Sequence, residues 1–481
     1  MLNLRILFIA FLNLYSIDVS SQSSIMYQDI KKSDWFTIAG GSYGRIGIGW
    51  TPDISSVSGR RLNLSRMGSI GGRMEEQDYL EIGLAFKMEP FKQTRDSIEI
   101  NVQLRAAVFT RGAAYFGSSS TSGFNGLTLV LPELYVEGKN VFTKDLNIWV
   151  GNRFYRGNDV HMADYFYFND HSGQGAGIEY KKSRFNVIFV SSSDTTSTVP
   201  PYFYLNYFTG TPSLEIRNRI VYALEQDLQL GKHSLITFLG EYHRIGDPSD
   251  NPAVQGSLES FPGDYGWVIG AKYQHNVLPY EFLRDGSFNQ FAIRYGSGIA
   301  NGGDGGSSRT WETFGAVDTT NFQFRNAYSW HIVNHFLLDF SDKFSLNGYG
   351  IFNYNQGAAK TKGEAETYLG KEVFNRKKDL TFGLKGVNYI TDIFHWQTEI
   401  HYSQRQQGTS SWYRVTKLSF VPTIALRGQR SVWSRPHIRF IYSIARFNQA
   451  AQQDQFSPFL QLTGPKEWGH FFGVRAEWWT W

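Results

Sequence analysis

Apolar and polar positions alternate with a period of two through most of the chain. Leu80, Ile82, Leu84 and Phe86 interleave with Tyr79, Glu81, Gly83, Ala85 and Lys87. Ile46, Ile48 and Trp50 interleave with Arg45, Gly47 and Gly49. Ile438, Phe440, Tyr442 and Ile444 interleave with His437, Arg439 and Ser443, Ile441 being the one exception. Successive side chains of a strand point to opposite faces, so this pattern predicts strands with one apolar and one wet face. Comparable segments run through 97–109, 183–191, 219–230, 233–243, 266–274, 288–296, 343–354, 379–389 and 394–403. Turn-rich stretches such as Gly117–Gly126, Gly296–Ser308 and Gly357–Gly363 separate them. No linker, charge block or composition shift divides the chain, so residues 22–481 read as one all-β domain.

Residues 1–21 follow a different rule. Arg5 precedes an apolar stretch from Ile6 to Leu14, and the small residues Val19, Ser20 and Ser21 follow. That layout predicts a secretory signal peptide, cut near Ser21 and Gln22. The stretch is short for a membrane-spanning helix, which needs about 20 apolar residues. No later run of that length occurs, so a helical membrane protein is excluded. The chain has no cysteine, which removes disulfides, thiolate metal sites and thiol catalysis. An exported chain without cysteine fits a Gram-negative envelope better than a disulfide-stapled secreted domain.

Soluble sandwiches or propellers and outer-membrane barrels both give alternating strands. A soluble fold buries the apolar face and would divide so long a chain among several cores. A barrel turns the apolar face to lipid and the other to water, and one closed sheet can hold the whole chain. Export favours the barrel. So do aromatics at strand ends and the terminus Ala476-Glu477-Trp478-Trp479-Thr480-Trp481. At roughly 25 residues per strand and connection the domain holds about 16–18 strands, enough to enclose an aqueous channel.

Net charge and motifs narrow the chemistry. A charge of +4, with no basic cluster among exposed aromatics, argues against nucleic acid. No phosphate loop or His/Glu metal spacing occurs, and Asp159, His161 and Asp164 lack a serine elbow, so no cofactor, metal or catalytic group is expected. Asn301–Gly306 reads as a surface loop rather than a calcium site.

Three segments resemble the maltoporin-type family of carbohydrate porins. They are Tyr43-Gly44-Arg45-Ile46-Gly47-Ile48-Gly49-Trp50, the stretch from Gly138 to Gly177, and Ser431-Val432-Trp433-Ser434-Arg435-Pro436. Within the second lie Trp149-Val150-Gly151-Asn152-Arg153-Phe154-Tyr155 and Asn158-Asp159-Val160-His161-Met162. The resemblance implies an antiparallel transmembrane barrel of about 18 strands, a third loop folded inward to constrict the pore, a homotrimer, and passive uptake of oligosaccharides. It also implies a row of aromatic platforms at Tyr43, Tyr79, Phe288, Trp433 and Trp479. A polar track beside them falls on Arg45, Arg73, Glu81, Arg156, Asp159, His161, Asp164 and Phe166. A further aromatic would come from the second loop of a neighbouring subunit, where Tyr115, Phe116 and Phe124 are the candidates.

Strand parity tests the row independently. A sugar ring has an apolar C–H face and a rim of hydroxyls, so a translocating site needs aromatic faces beside hydrogen-bonding groups. Those aromatics must share the wet face. Tyr43 shares its face with Arg45, Tyr79 with Glu81, and Phe288 with Gln290 and Arg294. Trp433 shares a face with Arg435 and Arg439, and Trp479 with Arg475 and Glu477. The track departs from the family at Pro132 and Gly157, where arginines are usual, with Arg156 adjacent to the second. Phe166 stands where a tyrosine is typical. The expectation is an outer-membrane channel for oligosaccharides, malto-oligosaccharides first, with lipid around it. A general diffusion porin, a porin for other sugars such as sucrose, and an outer-membrane hydrolase are the alternatives.

Overall fold

Eighteen of the alternating segments pair edge to edge into one closed antiparallel sheet. In chain order they are β1 (Phe36–Trp50), β2 (Tyr79–Met88), β3 (Glu99–Thr110), β4 (Leu127–Lys139), β5 (Leu146–Arg153) and β6 (Gly173–Tyr180). Then come β7 (Ser183–Val190), β8 (Arg219–Leu230), β9 (Ser234–Ile245), β10 (Asp264–Asn276), β11 (Phe288–Gly298) and β12 (Tyr328–Asp339). The last six are β13 (Phe344–Gln356), β14 (Arg376–Tyr389), β15 (Phe394–Gln407), β16 (Tyr413–Ala425), β17 (His437–Phe447) and β18 (Trp468–Trp479). Strand β18 returns to β1, with Tyr43 opposite Trp479 and Trp50 opposite Phe472. Closure gives the backbone polar groups partners on both sides, as a sheet in hydrocarbon requires.

The computed structural model describes residues 27–479 apart from 56–58, 91–97, 111–114, 117–126, 157–158, 191–202, 207–212, 217, 248–261, 277–282, 303–312 and 369–370. The signal segment 1–21, the loop Gly117–Gly126 with Phe124, Gly157, the glycines Gly303, Gly305 and Gly306, and the final Thr480 and Trp481 therefore lie outside the described residues.

The side chains partition in reverse of a soluble protein. Ile48 is 57% exposed and Arg45 only 6%. Apolar side chains turned outward and charged ones turned inward are what a lipid-facing barrel demands. Connections at one end are short, at 181–182, 231–233, 340–343 and 390–393, while 51–78, 154–172, 299–327 and 448–467 at the other are long. Short turns mark the periplasmic end of such barrels.

Alternation fails at two informative places. Arg105 pairs with Glu133 but Ala107 with Val130, so Leu131 and Pro132 form a bulge in β4. Proline has no N–H for the ladder and is tolerated at such points. The bulge shifts the phase: Leu129 and Leu131 face outward before it, Leu134 and Val136 after it. Ile441 is the other exception, and it turns inward, 4% exposed. There it joins Leu62, Met67, Ile70, Met74, Val160, Met162, Phe459 and Phe471 in an apolar cluster.

That cluster draws on the connection 51–78, which strand residues hold in place. Lys417 Nζ donates to Asn63 Oδ1 at 2.7 Å and to Glu75 Oε2 at 2.8 Å. Arg405 Nη1 donates to the Arg66 carbonyl at 2.8 Å. Gly72, at φ +107°, packs so near His401 and Lys417 that a Cβ would lie 2.9 Å from each. Only glycine combines that backbone with that approach.

Ahead of the barrel, Gln28–Lys32 pairs with Thr37–Gly40 of β1, beyond the point where β18 stops. Tyr27 accepts a hydrogen bond from Gln103 Nε2 at 2.9 Å, and its ring lies over Gly83. The segment before β1 thus has a defined use that its sequence does not announce.

Candidate functional site

Twelve of the thirteen predicted site residues border a single cavity of about 760 Å³. Strand β1 supplies Tyr43 and Arg45, β2 supplies Tyr79 and Glu81, and β18 supplies Trp479. The connection 51–78 contributes Arg73. The connection 154–172 contributes Arg156, Asp159, His161, Asp164 and Phe166, and the turn 426–436 contributes Trp433. Residues from both ends of the barrel therefore meet here.

Parity accounts for the three strand aromatics, since a residue two places from a charged inward neighbour also points inward. It does not account for Trp433. That residue precedes β17, which begins at His437, so the turn and not strand alternation carries its ring to the cavity.

The aromatic rings form a loose chain. Tyr43 and Tyr79 stand 5.9 Å apart between centroids. His161 lies edge-on to Trp433 at 6.1 Å and to Trp479 at 5.8 Å. The Arg45 guanidinium lies 5.0 Å from the Tyr79 ring, and that of Arg435 lies 4.6 Å from Trp479.

Charged groups lock these rings in place. Tyr43 donates its hydroxyl hydrogen to Glu477 at 2.9 Å and accepts from Arg73 Nη2 at 2.7 Å. Glu477 also pairs with Arg73 at 3.3 Å, Arg435 at 3.1 Å and Arg439 at 3.5 Å. Arg45 and Arg73 converge on Glu76 at 3.0 and 3.1 Å. Burial alone would raise Glu76, but those two guanidiniums outweigh it and hold its carboxyl down at about 2. Glu81 pairs with Arg105 at 3.2 Å and accepts from the Tyr79 hydroxyl. Burial also opposes the charge of Asp159, yet His161, 3.8 Å away, keeps that carboxyl below its ordinary range.

Phe288 is the predicted residue that the cavity leaves out. Its ring meets His335 edge-on at 5.0 Å, on β11 and β12. On that wall the later part of 154–172 is bonded to strand side chains. Tyr167 donates to Gln290 at 2.5 Å, and Asn169 to Glu225 at 2.9 Å. His171 lies between Glu225 and Glu241, each 3.1 Å from a ring nitrogen. Its Nε2 bond to Glu241 is well aligned, whereas the Nδ1 contact is ionic without hydrogen-bond geometry. Burial works against its charge, but the two carboxylates prevail and push its pKa up to about 9.

Tyr115 and Phe116 are held by their own chain. The Tyr115 hydroxyl accepts from Gly49 N at 2.8 Å, its ring lies under Arg60, and Phe116 N donates to Asp78 at 2.9 Å. The sequence reading missed Glu76, Gln77, Phe154, Arg427 and Gln429, which also line the cavity. Arg427 and Gln429 lie in the same turn, 426–436, that carries Trp433 to the cavity.

Comparison with solved structures finds chains of low sequence similarity. OccAB1 of Acinetobacter baumannii is 9% identical, with 92% of this chain and 96% of that one covered, at a TM-score of 0.45. OccAB2 of the same organism is 9% identical over 92% and 98%, at 0.44. OmpT of Vibrio cholerae is 8% identical over 94% and 100%, at 0.37. The LamB porin family model matches residues 38–479, nearly all of the barrel. A closed 18-stranded barrel with an apolar exterior and a charged interior is an outer-membrane channel, and this chain belongs to the LamB porin family.

Proposed function

We propose that the channel passes oligosaccharides down their gradient, malto-oligosaccharides first among them, along the aromatic row and its charged border. The observation that carries this reading is the convergence of Tyr43, Tyr79, Trp433 and Trp479 with Arg45, Arg73, Glu81 and Asp159 around one cavity. Rings take the C–H faces of sugars, and ionised side chains bond hydroxyls more strongly than neutral ones do. Phe288, nearer the periplasmic end, would serve as an exit platform. The connection 154–172 acts in this reading as the inward constriction, with Phe166 at its rim. Residues 1–21 are removed on export, 22–481 form the channel, and three copies associate in the outer-membrane lipid. Family membership over residues 38–479 supports a channel over a hydrolase.

Single-channel conductance in a planar bilayer tests the reading. Titration with maltotriose, maltohexaose, sucrose and a non-sugar solute should give saturable block that tightens with malto-oligosaccharide length. Block chiefly by sucrose would keep the architecture and change the substrate. Conductance that no sugar blocks would leave a general diffusion porin.

A further inference from the structure

We propose that Arg156 makes the cavity selective for oligosaccharides carrying a carboxylate, with one uronic acid seated on its guanidinium; this rests on the oligosaccharide reading above. The guanidinium carbon of Arg156 lies 3.6 Å from the centre of the Phe166 ring and 4.0 Å from that of Phe154. At separations this short a planar cation lies face-on to a ring. Its in-plane N–H groups stay available, and that fork matches the two oxygens of a carboxylate.

Four of the acidic groups around the cavity face a cation of the protein, and Arg61 donates to the Gln77 side-chain oxygen. Glu76 takes Arg45 and Arg73, Glu81 takes Arg105, and Asp159 has His161 at 3.8 Å. Asp164 lies 4.0 Å from Arg45. Arg156 differs: among the described residues its guanidinium lies against the two rings and forms no ion pair within 4 Å. A guanidinium stacked on rings is also weakly hydrated, so an incoming anion displaces little water. A neutral hydroxyl would accept one of its donors. A uronate accepts two and balances the charge.

The test compares current block by maltotriose and by trigalacturonate, at one ionic strength, on the purified full-length channel. Trigalacturonate should half-block at a concentration about tenfold lower, the factor that about 1.4 kcal/mol gives. Arg156→Gln should lower that preference by about tenfold, the same interval. Arg156→Lys should retain part of it, because a point charge attracts without the fork. Open-channel conductance in potassium chloride reports that each variant has folded and inserted, and if one variant gives no channels the other carries the comparison. Equal block by the two sugars, or a preference unchanged in the variants, overturns the inference and leaves the neutral-sugar reading standing. Block by neither sugar overturns both.

Discussion

The two walls of the lumen are built from the same kinds of residue and end up in different states. Around β1, β2 and β18, aromatic rings and ion pairs border open space of about 760 Å³. Around β8, β9 and β11, an equally charged surface is filled, with His171 between Glu225 and Glu241 and Tyr167 on Gln290. The difference lies in what the connection 154–172 does on each side. Arg156, Asp159, His161, Asp164 and Phe166 face the cavity, while Tyr167, Asn169 and His171 are bonded to the wall. Charge in a barrel lumen is therefore a poor guide to binding by itself. It marks a path only where the loops leave room beside it.

Glu477→Ala gives the largest expected effect, and it breaks the open wall. Glu477 is fully buried and answers Arg73, Arg435 and Arg439. Removing one partner of a buried ionic network costs about 3–5 kcal/mol, because the remaining charges are left without compensation. Denaturant unfolding of the detergent-solubilised barrel should show a clear loss of midpoint, and an unchanged midpoint would refute the hub.

The filled wall responds to pH instead. The folded pKa of His171, about 9, lies above its ordinary 6.5. Its contribution is fully present below 6.5 and is lost as the pH rises through about 9. A shift of that size corresponds to about 3 kcal/mol. Heat-unfolding midpoints measured from pH 6 to 10 should fall at the alkaline end, and His171→Gln should flatten the curve. A wild-type midpoint that rises with pH would show that the wall is held another way.

The comparison sharpens with a smaller pair of effects. Trp433→Ala should weaken maltohexaose block by about 1–2 kcal/mol, the scale of one lost aromatic platform. Phe288→Ala should cost less, about 0.5 kcal/mol, since its ring packs on His335 outside the cavity. Equal losses in the two variants would mean that the sugar path uses both walls alike.

Much of this was legible along the chain. The alternating segments 219–230, 288–296 and 394–403 match strands Arg219–Leu230, Phe288–Gly298 and Phe394–Gln407 closely. Tyr43, Tyr79 and Trp479 reach the cavity because strand side chains have period two, which any reader of the sequence can count. Trp433 reaches it by a turn, so the parity argument gave the right neighbourhood for a reason that does not apply there. Pro132 reads as a lost arginine in the sequence and is a bulge in the sheet.

What the sequence determined by itself is the barrel, because burying backbone hydrogen bonds in lipid leaves an alternating chain no other closed arrangement. Family membership follows from the same residues. What only the tertiary structure decided is which lumen charges stay accessible. Arg405 and Lys417 are inward strand cations, and they are bonded to Arg66, Asn63 and Glu75. Glu76 and Arg156 lie on loops, where no period fixes the direction of a side chain. Their positions follow from long-range packing of those loops against strands far away in sequence, and local pattern carries no record of it.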